Sequence, residues 1–263
     1  MTARIWLVGA GNMGGAMLRG WLASGIAAPE IAVVDPMASG LPEGARLYSE
    51  FPEGGAPDIL VLAIKPQQLG AVSEAYRSRM ASPRLLISVL AGVETETLAA
   101  SFGPCSVVRA MPNLPAAIGE GATVLYCKDG DVRAEADVLM APLGAVEWVN
   151  DEELFHAVTA LSGSGPGYVF RFIEAMAEAG AALGLPADLA ARLAIATVRG
   201  SAVMAGQSDA SPAVLADRVA SPGGTTREGL NALDDNDAIK ALVARTVEAA
   251  ARRSAELAAA ARG

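Results

Sequence analysis

Six residues near the start of the chain limit its architecture more than any other stretch. They are Gly9-Ala10-Gly11-Asn12-Met13-Gly14, a G-x-G-x-x-G. They follow the apolar run Ile5-Trp6-Leu7-Val8 and open a helical pattern through Met17, Leu18, Trp21 and Leu22. That strand–turn–helix setting turns a common pattern into a dinucleotide-binding candidate. In this reading Gly9 allows the tight turn, Gly11 lets a pyrophosphate approach, and Gly14 lets helix and strand pack closely. Asn12 and Met13 complete the cradle. A purely structural glycine turn is the competing reading.

Further apolar runs follow at Ile31–Val34, Ile59–Ile64 and Leu85–Leu90, each ended by a break: Asp35-Pro36, Lys65-Pro66 and Ala91-Gly92. Runs alternating with helical stretches predict a parallel sheet covered on both faces. Ligands of such sheets bind at the carboxyl ends of the strands, where all these breaks fall. Asp35 lies 21 residues beyond Gly14, close to the roughly 20-residue offset at which an acidic residue meets the adenosine ribose. A carboxylate there favours NADH; a plain turn is the alternative, and Arg46 keeps NADPH open. Ala63, Lys65 and Pro66 are candidates for the cofactor wall, with Lys65 either a proton donor or a solvated strand-end lysine. Residues 107–113, 122–127 and 145–149 read as closing strands. Asn113 either bonds the cofactor or substrate or steadies a proline-rich turn.

Composition changes near Asn150-Asp151. Beyond it, alanines recur at helical spacing and apolar residues occupy several helix faces. A helix apolar all round must be buried, and one small bundle offers few places to bury it. The expectation is a homodimer with intertwined helices. Ser162–Gly167 reads as a flexible break before a long helix, with Ser162 and Ser164 as candidates for a substrate wall. The stretch Ser221-Pro222-Gly223-Gly224-Thr225-Thr226-Arg227-Glu228 has glycines ahead of a helix start. Thr225 and Glu228 have the spacing of a capping box. A helix start presents unpaired N–H groups and the positive end of the helix dipole, so this turn suits a small carboxylate.

The net charge of −9 argues against a nucleic-acid partner, whose phosphates would be repelled. The apolar run at residues 5–10 is too short for a membrane span or a secretory leader. Cys105 and Cys127 form no metal or disulfide pattern and are expected as reduced thiols in a cytoplasmic protein.

Taken in order, Gly9–Gly14, Ala63-Ile64-Lys65-Pro66, Arg109-Ala110-Met111-Pro112-Asn113, Ser162-Gly163-Ser164-Gly165-Pro166 and Ser221–Thr226 closely resemble the pyrroline-5-carboxylate reductase family over essentially the whole chain. The resemblance implies an α/β Rossmann domain, a doubly wound and mainly parallel sheet, at residues 1–152. An all-α dimerisation and substrate domain follows at 153–263. It implies NADPH or NADH as cofactor, pyrroline-5-carboxylate as substrate, and a homodimer or a decamer built from dimers. It also implies that Ser221, Gly223, Gly224, Thr225 and Thr226 receive the substrate carboxylate and that Thr226 bonds the ring nitrogen as the catalytic residue. The chain departs from the family pattern at Leu114 and Gly167, neither of which touches the proposed chemistry.

The sequence is poor in acid catalysts. Its one histidine, His156, sits in an apolar helical context. A ketone substrate would need a donor for the developing oxyanion, whereas a protonated imine is already electrophilic. The rival readings are a β-hydroxy-acid dehydrogenase, which would call for a catalytic lysine or histidine in the second domain, and a catalytically silent nicotinamide-binding sensor.

Overall fold

In the computed structural model the described residues are 4–38 and 41–262; the outer limits drawn above at residues 1 and 263 lie outside them. The chain divides into two units. One runs through Ser164 and takes back the chain from Ala250 onward; the other is Gly165–Ala249.

The first unit alternates strands and helices. Its strands are β1 (Ile5–Val8), β2 (Ile31–Val34), β3 (Arg46–Tyr48), β4 (Ile59–Leu62), β5 (Leu85–Ser88), β6 (Ser106–Met111), β7 (Gly121–Cys127) and β8 (Gly144–Trp148). Its helices are α1 (Asn12–Ala23), α2 (Leu69–Arg77), α3 (Thr95–Phe102), α4 (Arg133–Met140) and the short α5 (Phe155–Val158). The sheet order is β3-β2-β1-β4-β5-β6-β7-β8, and every pair is parallel except β6–β7. The doubly wound fold expected from the sequence is thus present. The strand order reverses between β1 and β4, where such sheets open a crevice.

Two-fold alternation along the strands divides the core. Ile5, Leu7, Val33 and Val61 pack with Met17, Leu18 and Trp21 of α1 and with Leu139 and Met140 of α4. Trp6, Val8, Val34 and Leu62 pack with Tyr76 of α2 and with Leu98 and Phe102 of α3. Full burial of such a side chain contributes about 1.5–3 kcal/mol. The Trp21 indole N–H also donates to the Leu139 carbonyl at 2.7 Å, joining α1 to α4.

At the amino ends of the strands, Arg4, Asp58, Arg84 and Glu135 close a ring of ion pairs. Arg4 reaches Asp58 at 3.2 Å and Glu135 at 2.6 Å; Arg84 reaches Asp58 at 2.5 Å and also bonds Glu135. Across the sheet, buried Arg109 pairs with Glu152 at 2.8 Å and lies over the Phe155 ring, 4.3 Å from its centroid. The last turns of the chain belong to this unit as well. His156 Nδ1 and Ser254 Oγ are 3.0 Å apart. A Cβ on Gly92 would sit 3.4 Å from the Ala258 Cα.

The second unit is helical: α6 (Gly165–Ala182), α7 (Ala187–Gly206), α8 (Pro212–Val219), α9 (Thr225–Asp234) and the start of α10 (Ala238–Arg262). Gly184, at φ +100°, lets the chain turn between α6 and α7. Close packing of that pair brings Gly180 against Ala190. The apolar faces remain open: Phe170, Phe172, Leu193, Ile195, Val203 and Met204 are each 46–59% exposed.

Three local expectations need correction. Ser162–Gly167 is no break: Thr159–Gly163 forms a π turn and α6 begins at Gly165, because proline fits the first turn of a helix, where its missing N–H costs nothing. The Arg46–Tyr48 strand was not expected; it is a three-residue, largely exposed edge strand. The capping box at Thr225 and Glu228 does not form. The N-cap is Gly224, with no side-chain cap, so Thr225 already lies inside the helix and its hydroxyl is one position too late to cap.

Candidate functional site

In the first unit the carboxyl ends of β1, β2 and β4 bring together Gly9–Gly14, Asp35 and Ala63–Pro66. Gly9 turns the chain at φ +91°, and a Cβ there would meet the Ala63 carbonyl oxygen at 2.6 Å. At Gly14 a Cβ would lie 2.0 Å from the Gly9 carbonyl oxygen and 3.2 Å from the Ala63 Cβ. These two glycines therefore serve close packing. Gly11 differs: a Cβ there would meet nothing within 4 Å, so it faces the open space that an approaching pyrophosphate would use.

Gly11 is also the N-cap of α1 and offers no side-chain cap. The first bond of the helix is Gly15 N–H to the Gly11 carbonyl, 2.7 Å. The N–H groups of Asn12, Met13 and Gly14 are left for a ligand, at the positive end of the helix dipole. This cradle fits a dinucleotide pyrophosphate. Asp35, just past the carboxyl end of β2, is held beside this loop: one carboxylate oxygen accepts from the Ala10 N–H and the other from the Met37 N–H, each at 2.8 Å. Exposed Lys65 precedes a 3-10 turn at Pro66–Gln68, and its N–H donates to the Gln68 side chain at 3.0 Å.

Asn113 follows β6 and is joined to Ser162. Its Nδ2 donates to the Ser162 carbonyl at 3.2 Å, with Oγ at 3.5 Å, while its Oδ1 accepts from the Ala122 N–H at 2.9 Å. Two residues read separately from the sequence, Asn113 for cofactor, substrate or a turn and Ser162 for a substrate wall, thus form one polar cluster that also holds β7. Ser164 donates its N–H to the Thr159 carbonyl at 2.8 Å within the π turn.

In the second unit the Ser221–Glu228 stretch repeats the design of the glycine loop. Gly223 turns at φ +68°, and the Gly224 N–H donates to the Ser221 carbonyl at 3.0 Å. Gly224 is the N-cap of α9, and the first helical bond is Glu228 N–H to its carbonyl at 3.3 Å. The N–H groups of Thr225, Thr226 and Arg227 remain for an anion, and the Thr225 and Thr226 side chains are exposed. A Ser, Asp or Asn cap would have satisfied one of these donors itself; glycine leaves them open. The helix start is steadied instead by Arg227, which reaches Asp217 at 2.7 Å and the Ala220 carbonyl at 3.5 Å. Sequence reasoning passed over Arg227. The signal available was a basic residue in the first turn, where the dipole disfavours it unless it has another partner.

The remaining candidate acids are engaged elsewhere. His156 meets Ser254, and Lys240, the one lysine beyond Lys128, pairs with Asp237 at 3.0 Å. Cys105 and Cys127 are free thiols, and burial pushes both up from the ordinary thiol range.

Comparison with known proteins finds two family matches along the chain. Residues 152–257 match the family described as pyrroline-5-carboxylate reductase dimerisation, and residues 4–92 the family described as NADP oxidoreductase, coenzyme F420-dependent. The pyrroline-5-carboxylate reductase of Pseudomonas aeruginosa is 40% identical, with 98% of this chain and 97% of the relative covered. That of Arabidopsis thaliana is 36% identical over 97% and 95%. Among solved structures, a pyrroline-5-carboxylate reductase from Coxiella burnetii superposes with a TM-score of 0.87 at 31% identity, covering 98% of this chain and 99% of the other. The Plasmodium falciparum pyrroline carboxylate reductase with NADP bound gives 0.79 at 28% identity over 96% and 97%.

Proposed function

The chain belongs to the pyrroline-5-carboxylate reductase family, and from that premise we infer that it reduces the cyclic imine 1-pyrroline-5-carboxylate to L-proline with NADH or NADPH. The observation that carries this reading is the pair of glycine-capped helix starts, one at Gly11 and one at Gly224. Each leaves three backbone N–H groups for an anion: the first for a pyrophosphate, the second for a carboxylate.

A bound reduced nicotinamide would supply a hydride to the imine carbon of the substrate ring, the carbon that becomes C5 of proline. The C=N π pair then moves to nitrogen, which keeps its proton and becomes the secondary amine of proline. Hydride addition neutralises a cation here, so the site needs mainly to orient its partners. Holding them in a reactive geometry accounts for up to about 7–11 kcal/mol of barrier lowering. Thr225, Thr226 and Arg227 hold the carboxylate through their N–H groups. The Thr226 hydroxyl aims the ring nitrogen. Ser162, held by Asn113, is the substrate residue proposed for the sheet unit. On this reading residues 1–152 form the dinucleotide part and 153–263 the dimerisation and substrate part.

We place the enzyme in the cytoplasm as a homodimer, with a decamer built from five such dimers as the larger assembly. The support is the open apolar surface of α6 and α7, which a second copy would cover. A β-hydroxy-acid dehydrogenase is not favoured: Lys240 is spent on Asp237. The deciding experiment follows NADH and NADPH oxidation with pyrroline-5-carboxylate beside NAD+ and NADP+ reduction with 3-hydroxyisobutyrate. Turnover only with the hydroxy acid, or with neither, overturns the proposal.

A further inference from the structure

We infer that this enzyme prefers NADH to NADPH and that Asp35 sets the preference. The inference rests on the reading of Gly9–Gly14 as a dinucleotide cradle. A pyrophosphate on the Asn12, Met13 and Gly14 N–H groups directs the adenosine ribose to the carboxyl end of β2, where Asp35 stands. The Asp35 carboxylate is not free to swing away. One oxygen is held by Ala10 of the glycine loop and the other by Met37 of the following turn, each at 2.8 Å. Withdrawing it would leave the Ala10 N–H without a partner beside the pyrophosphate cradle. A fixed carboxylate accepts hydrogen bonds from ribose hydroxyls and repels a 2′-phosphate.

The sequence that follows β2 brings no cation to this strand end. No lysine or arginine occurs between Asp35 and Ala45, and Glu43 adds a second negative charge. Arg46 is the nearest along the chain, but it stands opposite Ala32 in the β2–β3 register. That is three residues short of Asp35, about 10 Å back along the strand, and Arg46 is itself engaged. The usual device for accepting a 2′-phosphate, an arginine at this strand end, is replaced by a pinned carboxylate.

The test is equilibrium binding to the full-length protein, read by nicotinamide fluorescence. NADH is expected to bind about tenfold more tightly than NADPH, a difference of about 1.4 kcal/mol. Competition locates the discrimination without altering the protein: 5′-AMP should displace NADH at lower concentration than adenosine 2′,5′-bisphosphate. In Asp35→Ser, checked for an unchanged circular dichroism spectrum, the NADH-to-NADPH ratio should fall towards one. NADPH binding as tightly as NADH, equal competition by the two nucleotides, or an unchanged ratio in a folded Asp35→Ser overturns the inference and leaves the proposed reaction standing. Failure of both dinucleotides to bind removes the reading on which it rests.

Discussion

Glu152 holds Thr95 twice: one carboxylate oxygen accepts from the Thr95 N–H and the other from its hydroxyl, each at 2.8 Å. The first of these oxygens also takes Arg109. A single side chain thus caps α3, neutralises a buried guanidinium of β6 and fixes the segment leaving β8. Removing one partner of a buried pair strands the other charge, which costs about 3–5 kcal/mol. Glu152→Ala is expected to lose about 3 kcal/mol in urea unfolding, and Glu152→Gln less, because its amide oxygen still caps α3. Equal stability in all three proteins would mean that Arg109 finds another partner.

Gly11 and Gly14 should respond differently to the same substitution. Gly14→Ala drives a methyl group into the Gly9 carbonyl, so its first effect is on the fold; overpacking of this kind costs about 1–3 kcal/mol. Gly11→Ala has room and should melt like the parent while binding NAD(P)H at least about tenfold more weakly. Thermal unfolding and nicotinamide fluorescence, run side by side, separate the two. A Gly11→Ala protein that binds normally would move the pyrophosphate away from this helix start.

Thr226→Ala should lower kcat with the dinucleotide dissociation constant unchanged. The loss of one orienting hydrogen bond, about 1 kcal/mol, corresponds to roughly five- to tenfold in rate. Thr226→Ser keeps the hydroxyl and should recover most of the activity. Full turnover in Thr226→Ala removes the hydroxyl from the mechanism.

Acid should weaken the ring at the strand amino ends. Asp58 is held below the usual carboxylate range, chiefly because Arg84 hydrogen-bonds it. Its folded value is therefore lower than the unfolded value, about 3.9. The stabilisation is complete above that value and is lost as pH falls through the folded one. With both arginines about half exposed, solvent screening limits the contribution to about 0.5–1 kcal/mol. The stability gap between the parent and Asp58→Asn should be present at pH 6 and close below about pH 4. A gap that widens on acidification would reverse the sign of this argument.

What could be read from the sequence follows a physical divide. The buried strands β1, β2, β4 and β5 announce themselves because a strand covered on both faces is apolar throughout. The edge strand β3 shows no such run, since Arg46 and Leu47 are exposed and only three residues pair. Thr225 and Glu228 have the right spacing for a capping box, but spacing does not say which residue leaves helical geometry first. Gly224 is the N-cap, and no pattern distinguishes that from a cap at Thr225. The bond from Ala10 to Asp35 spans 25 residues and exists only once β1 and β2 are paired. The same holds for Asn113 with Ser162: local patterns name the residues, and the fold alone makes them partners.

The contacts of Gly92 with Ala258 and of His156 with Ser254 set an order on biogenesis. Both partners lie beyond Gly165–Ala249, so the ribosome must deliver the whole helical unit before the sheet unit receives its final turns. Chains generally fold from the amino end as they emerge, yet a nascent chain that has reached only Ser164 has Gly92 and His156 waiting for residues not yet translated. Completion of the nucleotide-binding unit is therefore a late event, timed by the arrival of α10.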